Sequence, residues 1–213
     1  SSMIFGKNND GRNFLHCSLL QNEDKNFSKV LQFVVDILDD LKLKDFIEDV
    51  DNDGNNVLHL MIENLSMENI KNLILNQPNF KEMFFKVDET ESLVHHAIRN
   101  ENLEFIEFVL ENSVDVVKTL TSKNKKGENL LNFSIKNVKS KEILNFLLEY
   151  HEKSLNNKEI EEILTDRDEN GTIPLCNAVF SNDEGIFKLF FTFYEQNLTN
   201  KVFSDILNMF VGG

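Results

Sequence analysis

The sequence predicts an all-α fold, a solenoid of five helix-turn-helix repeats with short turns and an extra short helix between successive repeats. Three observations predict it. A glycine-centred segment recurs five times at nearly one period, an apolar helical pattern follows each copy, and a shorter apolar element precedes the next copy. With 41% hydrophobic residues in 213 and only 8 Gly and 2 Pro, the chain can form a continuous core. It has too few breakers for a turn-rich β-sandwich or a disordered tract.

The repeat is read first. Copy one runs Asn8-Asn9-Asp10-Gly11-Arg12-Asn13-Phe14-Leu15-His16, and copy two runs Asp51-Asn52-Asp53-Gly54-Asn55-Asn56-Val57-Leu58-His59. In the third, Val87-Asp88-Glu89-Thr90-Glu91-Ser92-Leu93-Val94-His95, threonine replaces glycine. The fourth is Asn124-Lys125-Lys126-Gly127-Glu128-Asn129-Leu130-Leu131-Asn132; the fifth is Asp168-Glu169-Asn170-Gly171-Thr172-Ile173-Pro174-Leu175-Cys176. The glycine position repeats at spacings of 43, 36, 37 and 44. Glycine allows the positive φ of a tight turn, a following polar residue caps the coming helix, and proline suits a first helical turn. Leu15, Leu58, Val94, Leu131 and Leu175 are expected in the contact between neighbouring repeats. Leu58→Ala or Leu131→Ala should each cost about 2–5 kcal/mol.

A second helix follows each turn. Its apolar residues are Val30, Leu31, Val34, Ile37 and Leu38; Ile70, Leu73 and Ile74; Leu103, Ile106, Phe108, Val109 and Leu110; Ile143, Leu144, Leu147 and Leu148; and Ile186, Leu189, Phe190 and Phe193. The third, shorter element holds Phe46, Ile47 and Val50; Met83, Phe84 and Val87; Val114, Val117 and Leu120; Ile160, Ile163 and Leu164; and Val202, Phe203, Ile206 and Leu207. The repeats are bounded at about 8–50, 51–86, 87–123, 124–167 and 168–213 and read as a single domain, 1–213. Two polar stretches, Asp39 to Asp45 and Tyr150 to Lys158, are expected to be surface connections.

Gly171-Thr172-Ile173-Pro174-Leu175-Cys176-Asn177-Ala178 and Gly54-Asn55-Asn56-Val57-Leu58-His59 resemble the ankyrin-repeat signature, which joins a Thr-Pro-Leu-His core to a glycine turn. The chain departs from it in keeping proline only at Pro174, histidine only at His16, His59 and His95, and a period longer than the family's usual length. The resemblance implies a protein-binding module that uses turn tips and the exposed side of the first helices, which together line a concave surface. Carried over by position, the partner-binding candidates are Arg12, Asp53, Asn55, Glu63, Asn64, Asp88, Glu89, Glu91, Arg99, Asn100, Lys125, Lys126, Glu128, Lys136, Asn137, Glu169 and Asn170. Glu63, Glu89, Glu91 and Arg99 are expected within one specific face. The resemblance also implies that the three histidines bond turn backbone and brace adjacent repeats.

No catalytic, cofactor-binding or metal-ligating set emerges from the residues. Cys17 and Cys176 fall at different repeat positions and read as small buried hydrophobes in a reducing, cytoplasmic setting. The Asp49, Asp51, Asp53, Gly54 run resembles the start of a calcium loop, but Leu60 stands where the closing glutamate belongs. Of the adjacent pair His95 and His96, one ring is expected to face away from the other, and His151 reads as part of a polar connection. Asp166, Asp168 and Glu169 read as solvated turn residues rather than a catalytic carboxylate pair, since no apolar pocket is predicted to separate their pKa values.

The formal net charge of −14 argues against nucleic acid or an anionic membrane surface as the ligand. The mixed signs along the tips suit a protein or peptide. Lysines outnumber arginines 19 to 3, the mark of an AT-rich genome. With the resemblance, this composition points to effector-type ankyrin proteins of intracellular bacteria acting in host cytosol, with protozoan proteins as the alternative. A second functional reading is a substrate-recruiting accessory domain of a larger enzyme. The aromatic helix with Phe187, Phe190, Phe191, Phe193 and Tyr194 leaves three outcomes open for its end: a folded-back cap, further repeats, or self-association.

Overall fold

The computed structural model describes residues 6–21, 24–76 and 93–211. Among these residues lie fourteen helices and one isolated bridge, between Lys123 and Asn129. The contacts divide the chain into two compact units, residues 1–86 and 87–213.

In the first unit the helices are α1 (Phe14–Leu20), α2 (Asp24–Ile37), α3 (Asp40–Glu48), α4 (Val57–Asn64) and α5 (Met67–Asn76). Helix α1 packs on α2 within its repeat and on α4 of the next, while α3 lies against both α2 and α4. The second unit holds α6 (Leu93–Arg99), α7 (Leu103–Asn112), α8 (Val116–Leu120), α9 (Leu130–Asn137), α10 (Lys141–Ser154), α11 (Asn157–Thr165), α12 (Pro174–Phe180), α13 (Glu184–Asn197) and α14 (Asn200–Val211). Its first helices form a row, α6 on α9 and α9 on α12, and the second helices α10 and α13 pack side by side behind them.

Helices stand where the third apolar element was expected, α3, α8, α11 and α14, but Val50 and Val114 lie outside them and are 47% and 92% exposed. The Met83, Phe84 and Val87 element lies outside the described residues. The expected leucines form the inter-repeat core, with Leu15, Val94, Leu131 and Leu175 at most 1% exposed and Leu58 at 4%.

The asparagine two residues beyond the glycine caps three of the first helices. Asn13 Oδ1 accepts from the His16 N–H (3.2 Å), Asn56 Oδ1 from His59 (3.0 Å) and Asn129 Oδ1 from Asn132 (3.0 Å). Each cap is worth about 1 kcal/mol. Two of these amides also tie the first helix to the third of the same repeat, Asn13 Nδ2 donating to Phe46 O (2.9 Å) and Asn129 Nδ2 to Ile163 O (3.1 Å).

Both polar stretches turn out to be largely helical rather than connecting. Asp39 caps α3 by accepting from the Lys42 N–H (2.9 Å). Helix α10 runs on to Ser154, and Asn156 then caps α11 with a capping box. Polarity there reflects caps and solvent-facing helix sides, which a composition reading cannot separate from loops. His151 is accordingly buried, 1% exposed, with Nδ1 donating to Leu147 O (2.6 Å). Burial pushes its pKa down to about 4, against the pull of the Leu147 and Leu120 carbonyls. His95 and His96 are both buried. His96 occupies the register position that Leu60 and Phe133 fill elsewhere, in the contact between repeats.

At the far end of the second unit, α14 folds back on α13. The Phe191 and Phe203 rings meet edge to face at 5.2 Å, and Ile206 is 3% exposed.

Candidate functional site

The turns begin from one residue type. Asn8, Asp51, Asn124 and Asp168 stand three residues before their glycines. Each points Oδ1 back at two backbone N–H groups, two and four residues on, at 2.9–3.0 Å. A backbone pair closes the turn, as in Asp51 N to Asn55 O (2.9 Å) and Gly54 N to Asp51 O (3.1 Å). The glycines hold φ between +69° and +85°, a region costly for other residues. Neighbouring turns are stitched by Asn52 N to Asp10 O (2.9 Å) in the first unit and Glu169 N to Lys126 O (3.0 Å) in the second.

The histidines brace the turns. His16 Nε2 donates to Asn55 O (3.1 Å), and His95 Nε2 to Glu128 O (3.3 Å), each the carbonyl just after the next glycine position. His95 also meets the Phe133 ring edge-on at 5.0 Å. Burial lowers the His16 pKa, and its Nδ1 lies 2.7 Å from Asn13 Oδ1 and 3.3 Å from the Asn13 N–H at the start of the helix. In the fourth repeat Asn132 takes the slot and is too short to reach the next turn. Its Oδ1 accepts from Asn177 Nδ2 (2.8 Å), and its buried Nδ2 has no partner.

A charge pattern that the sequence reading missed governs the turns that start with aspartate. Asp51 and Asp168 have fully buried side chains, and each meets a cation from the preceding repeat: Arg12 Nε at 3.3 Å from Asp51, and Lys136 Nζ at 2.6 Å from Asp168. Lys136 also binds Glu128 Oε1 at 2.8 Å. Burial works against the Asp168 charge, yet Lys136, the Thr172 hydroxyl and the N–H groups of Thr172 and Asn170 outweigh it. They hold the carboxyl well below the usual carboxylate range. Turns that start with neutral Asn8 or Asn124 need no such cation. The signal available in the sequence was the Asp/Asn choice three residues before glycine.

These contacts sort the candidate residues. In the first unit Arg12 is tied to Asp51 and Asp53, the Asn55 carbonyl takes the His16 bond, Asp53 and Glu63 are exposed, and Asn64 Nδ2 donates to Leu60 O (2.8 Å). Asp88, Glu89 and Glu91 lie outside the described residues. In the second unit Asn100 and Asn137 also turn their amides back onto the helix, to His96 O (3.2 Å) and Phe133 O (2.8 Å). They satisfy carbonyls left open at a helix end.

Arg99 lies over the Phe133 ring at 5.5 Å. Glu128 is 5% exposed and belongs to the turn's interior rather than its tip, because Asn124 Nδ2 (2.7 Å) and Lys136 draw it inward. Lys136 spends its charge on that same cluster. Lys125, Lys126, Glu169 and Asn170 stay exposed at the tips.

The catalytic and metal-like sets are likewise structural. Asp51 faces its own turn and Arg12, and Asp166 holds Lys123 and the Asn129 amide. Cys17 and Cys176 are free and half-buried rather than fully buried.

Repeating turns, a histidine brace between repeats and a row of packed first helices are now joined by a match of residues 58–159 to the family model for ankyrin repeats, in three copies. The chain carries ankyrin repeats. It matches no curated protein. Ankyrin repeats generally serve as protein–protein interaction modules and are typically not enzymes. Among the described residues no helix is long and apolar enough to cross a membrane.

Proposed function

We propose that this chain, acting as a single ankyrin domain, binds a protein partner through its turn tips and the exposed side of its first helices. The division of labour within each turn carries the reading. Asn124 and Lys136, bound to the buried Glu128 and Asp168 carboxylates, fix the frame of the second unit's tips, while Lys125, Lys126, Glu169 and Asn170 remain exposed. Among the described residues no side-chain hydrogen bond or ion pair holds those four. A rigid frame that presents uncommitted polar side chains binds with little ordering cost. Two lysines beside a glutamate in a chain of net charge −14 favour a protein surface of mixed sign over a polyanion. Two free thiols suit the reducing, cytoplasmic setting we assign to it.

Affinity capture with the wild type and with a Lys125→Glu/Lys126→Glu variant tests this. The variant should keep its melting temperature and lose the captured partner. A partner retained in full by a folded variant would place binding elsewhere.

A further inference from the structure

The boundaries between repeats inside each unit follow one pattern, and two surfaces show the same pattern uncovered. Leu130, and Val57 in the other unit, begin their first helices at 0% exposed. Phe14, the same register position in the first repeat, is 47% exposed. On α2, Phe33 and Ile37 are 54% and 45% exposed, one helical turn apart. In the fourth repeat, whose second helix has the same length, these two positions carry Tyr150 and Ser154. The fifth repeat is open on its opposite side. Val179 is 40% exposed, whereas Ile98 and Ile135, its equivalents, are 0% and 5%. Phe180, 66% exposed, stands where Arg99 reaches forward to Phe133 and Lys136 reaches forward to Asp168.

The polar features of the two open surfaces also match. At two covered boundaries a buried turn aspartate meets a cation from the preceding repeat, Arg12 for Asp51 and Lys136 for Asp168. The first turn starts with neutral Asn8, so it asks for none. In the fifth repeat, Thr172 and Phe180 stand at the positions of Arg12 and Lys136, so it supplies none. Asn9 N corresponds to the donors Asn52 N and Glu169 N, and Asn170 O to the acceptors Asp10 O and Lys126 O. A fifth repeat set against a first would leave no charge unpaired and would continue the turn-to-turn hydrogen bonds.

We propose that the chain self-associates head to tail, the first repeat of one copy docking on the fifth repeat of the next through the contacts its own repeats use. The inference rests on the repeat register and not on the partner-binding reading. A head-to-tail dimer still offers one free first repeat and one free fifth repeat, so assembly continues past the dimer, as an open chain or a ring. Phe14 and Phe180 are exposed, so charging them leaves the core intact; unchanged melting curves check this.

Sedimentation velocity on the wild type should show mass rising past the dimer between about 1 µM and 1 mM, where small interfaces dissociate. Phe14→Glu and Phe180→Glu should each be monomeric alone, and an equimolar mixture should form a 1:1 dimer that grows no further. A wild type that stays monomeric throughout overturns the proposal, as does a Phe14→Glu chain that assembles like the wild type, or a mixture that stays monomeric.

Discussion

Replacing Lys136 with methionine removes the ammonium that serves two buried carboxylates while keeping most of the stem. Glu128 and Asp168 have side chains 7% and 0% exposed, at 2.8 and 2.6 Å from Nζ. Breaking a buried pair costs about 3–5 kcal/mol. The lysine side chain keeps 29% of its exposure, so water screens part of the interaction, and about 2–3 kcal/mol is expected for Lys136→Met. The companion change is Asp168→Asn, which keeps the Oδ1 acceptor for Asn170 and Thr172 and copies what Asn124 does in its own turn.

In the Asp168→Asn background Lys136→Met should cost about 1 kcal/mol, because only Glu128 still needs the cation and Asn124 continues to donate to it. Urea denaturation of the four variants, with unchanged m-values, measures the coupling. Additive costs would refute the idea that aspartate-started turns depend on a cation from the preceding repeat.

Two further outcomes follow from buried polar groups. His151 titrates at about 4 in the fold against 6.5 when unfolded. The native state therefore binds fewer protons. Stability should be full above pH 6.5 and fall by up to about 3 kcal/mol as the pH drops towards 4. His151→Gln should remove most of that slope in urea titrations run across the same window. At the boundary between the fourth and fifth repeats, Asn132→His with Asn177→Phe copies the His95 and Phe133 pair of the boundary before it. Thermal melts should show a gain of about 1 kcal/mol, from a brace to Thr172 O and a buried amide no longer left without a partner.

What the sequence revealed of this fold depended on how each residue acts. Gly11, Gly54, Gly127 and Gly171 each solve a backbone problem locally, so the turns and their spacing were legible. So were the leucines behind them, because helical periodicity reports burial directly. His151 was not, since a histidine between glutamate and lysine reads as a surface residue until α10 is seen to turn it under the Leu120 carbonyl.

The candidate surface was legible as a set of positions but not as a set of roles. Lys136 and Glu128 both belong to the fourth repeat and looked exposed one repeat at a time; only the stacking of α9 on α12 brings Asp168 of the fifth to them. Asn64, Asn100 and Asn137 looked free because polar residues at a helix end read as solvent-facing, while their amides bond carbonyls four residues back in their own helices.

Hydrogen–deuterium exchange on the chain with and without its captured protein partner tests the central claim most directly. Binding through the tips predicts new protection at residues 124–128 and 168–172, with the helix pair α10 and α13 unchanged. Protection confined to α10 and α13, with the tips exchanging as before, would contradict it.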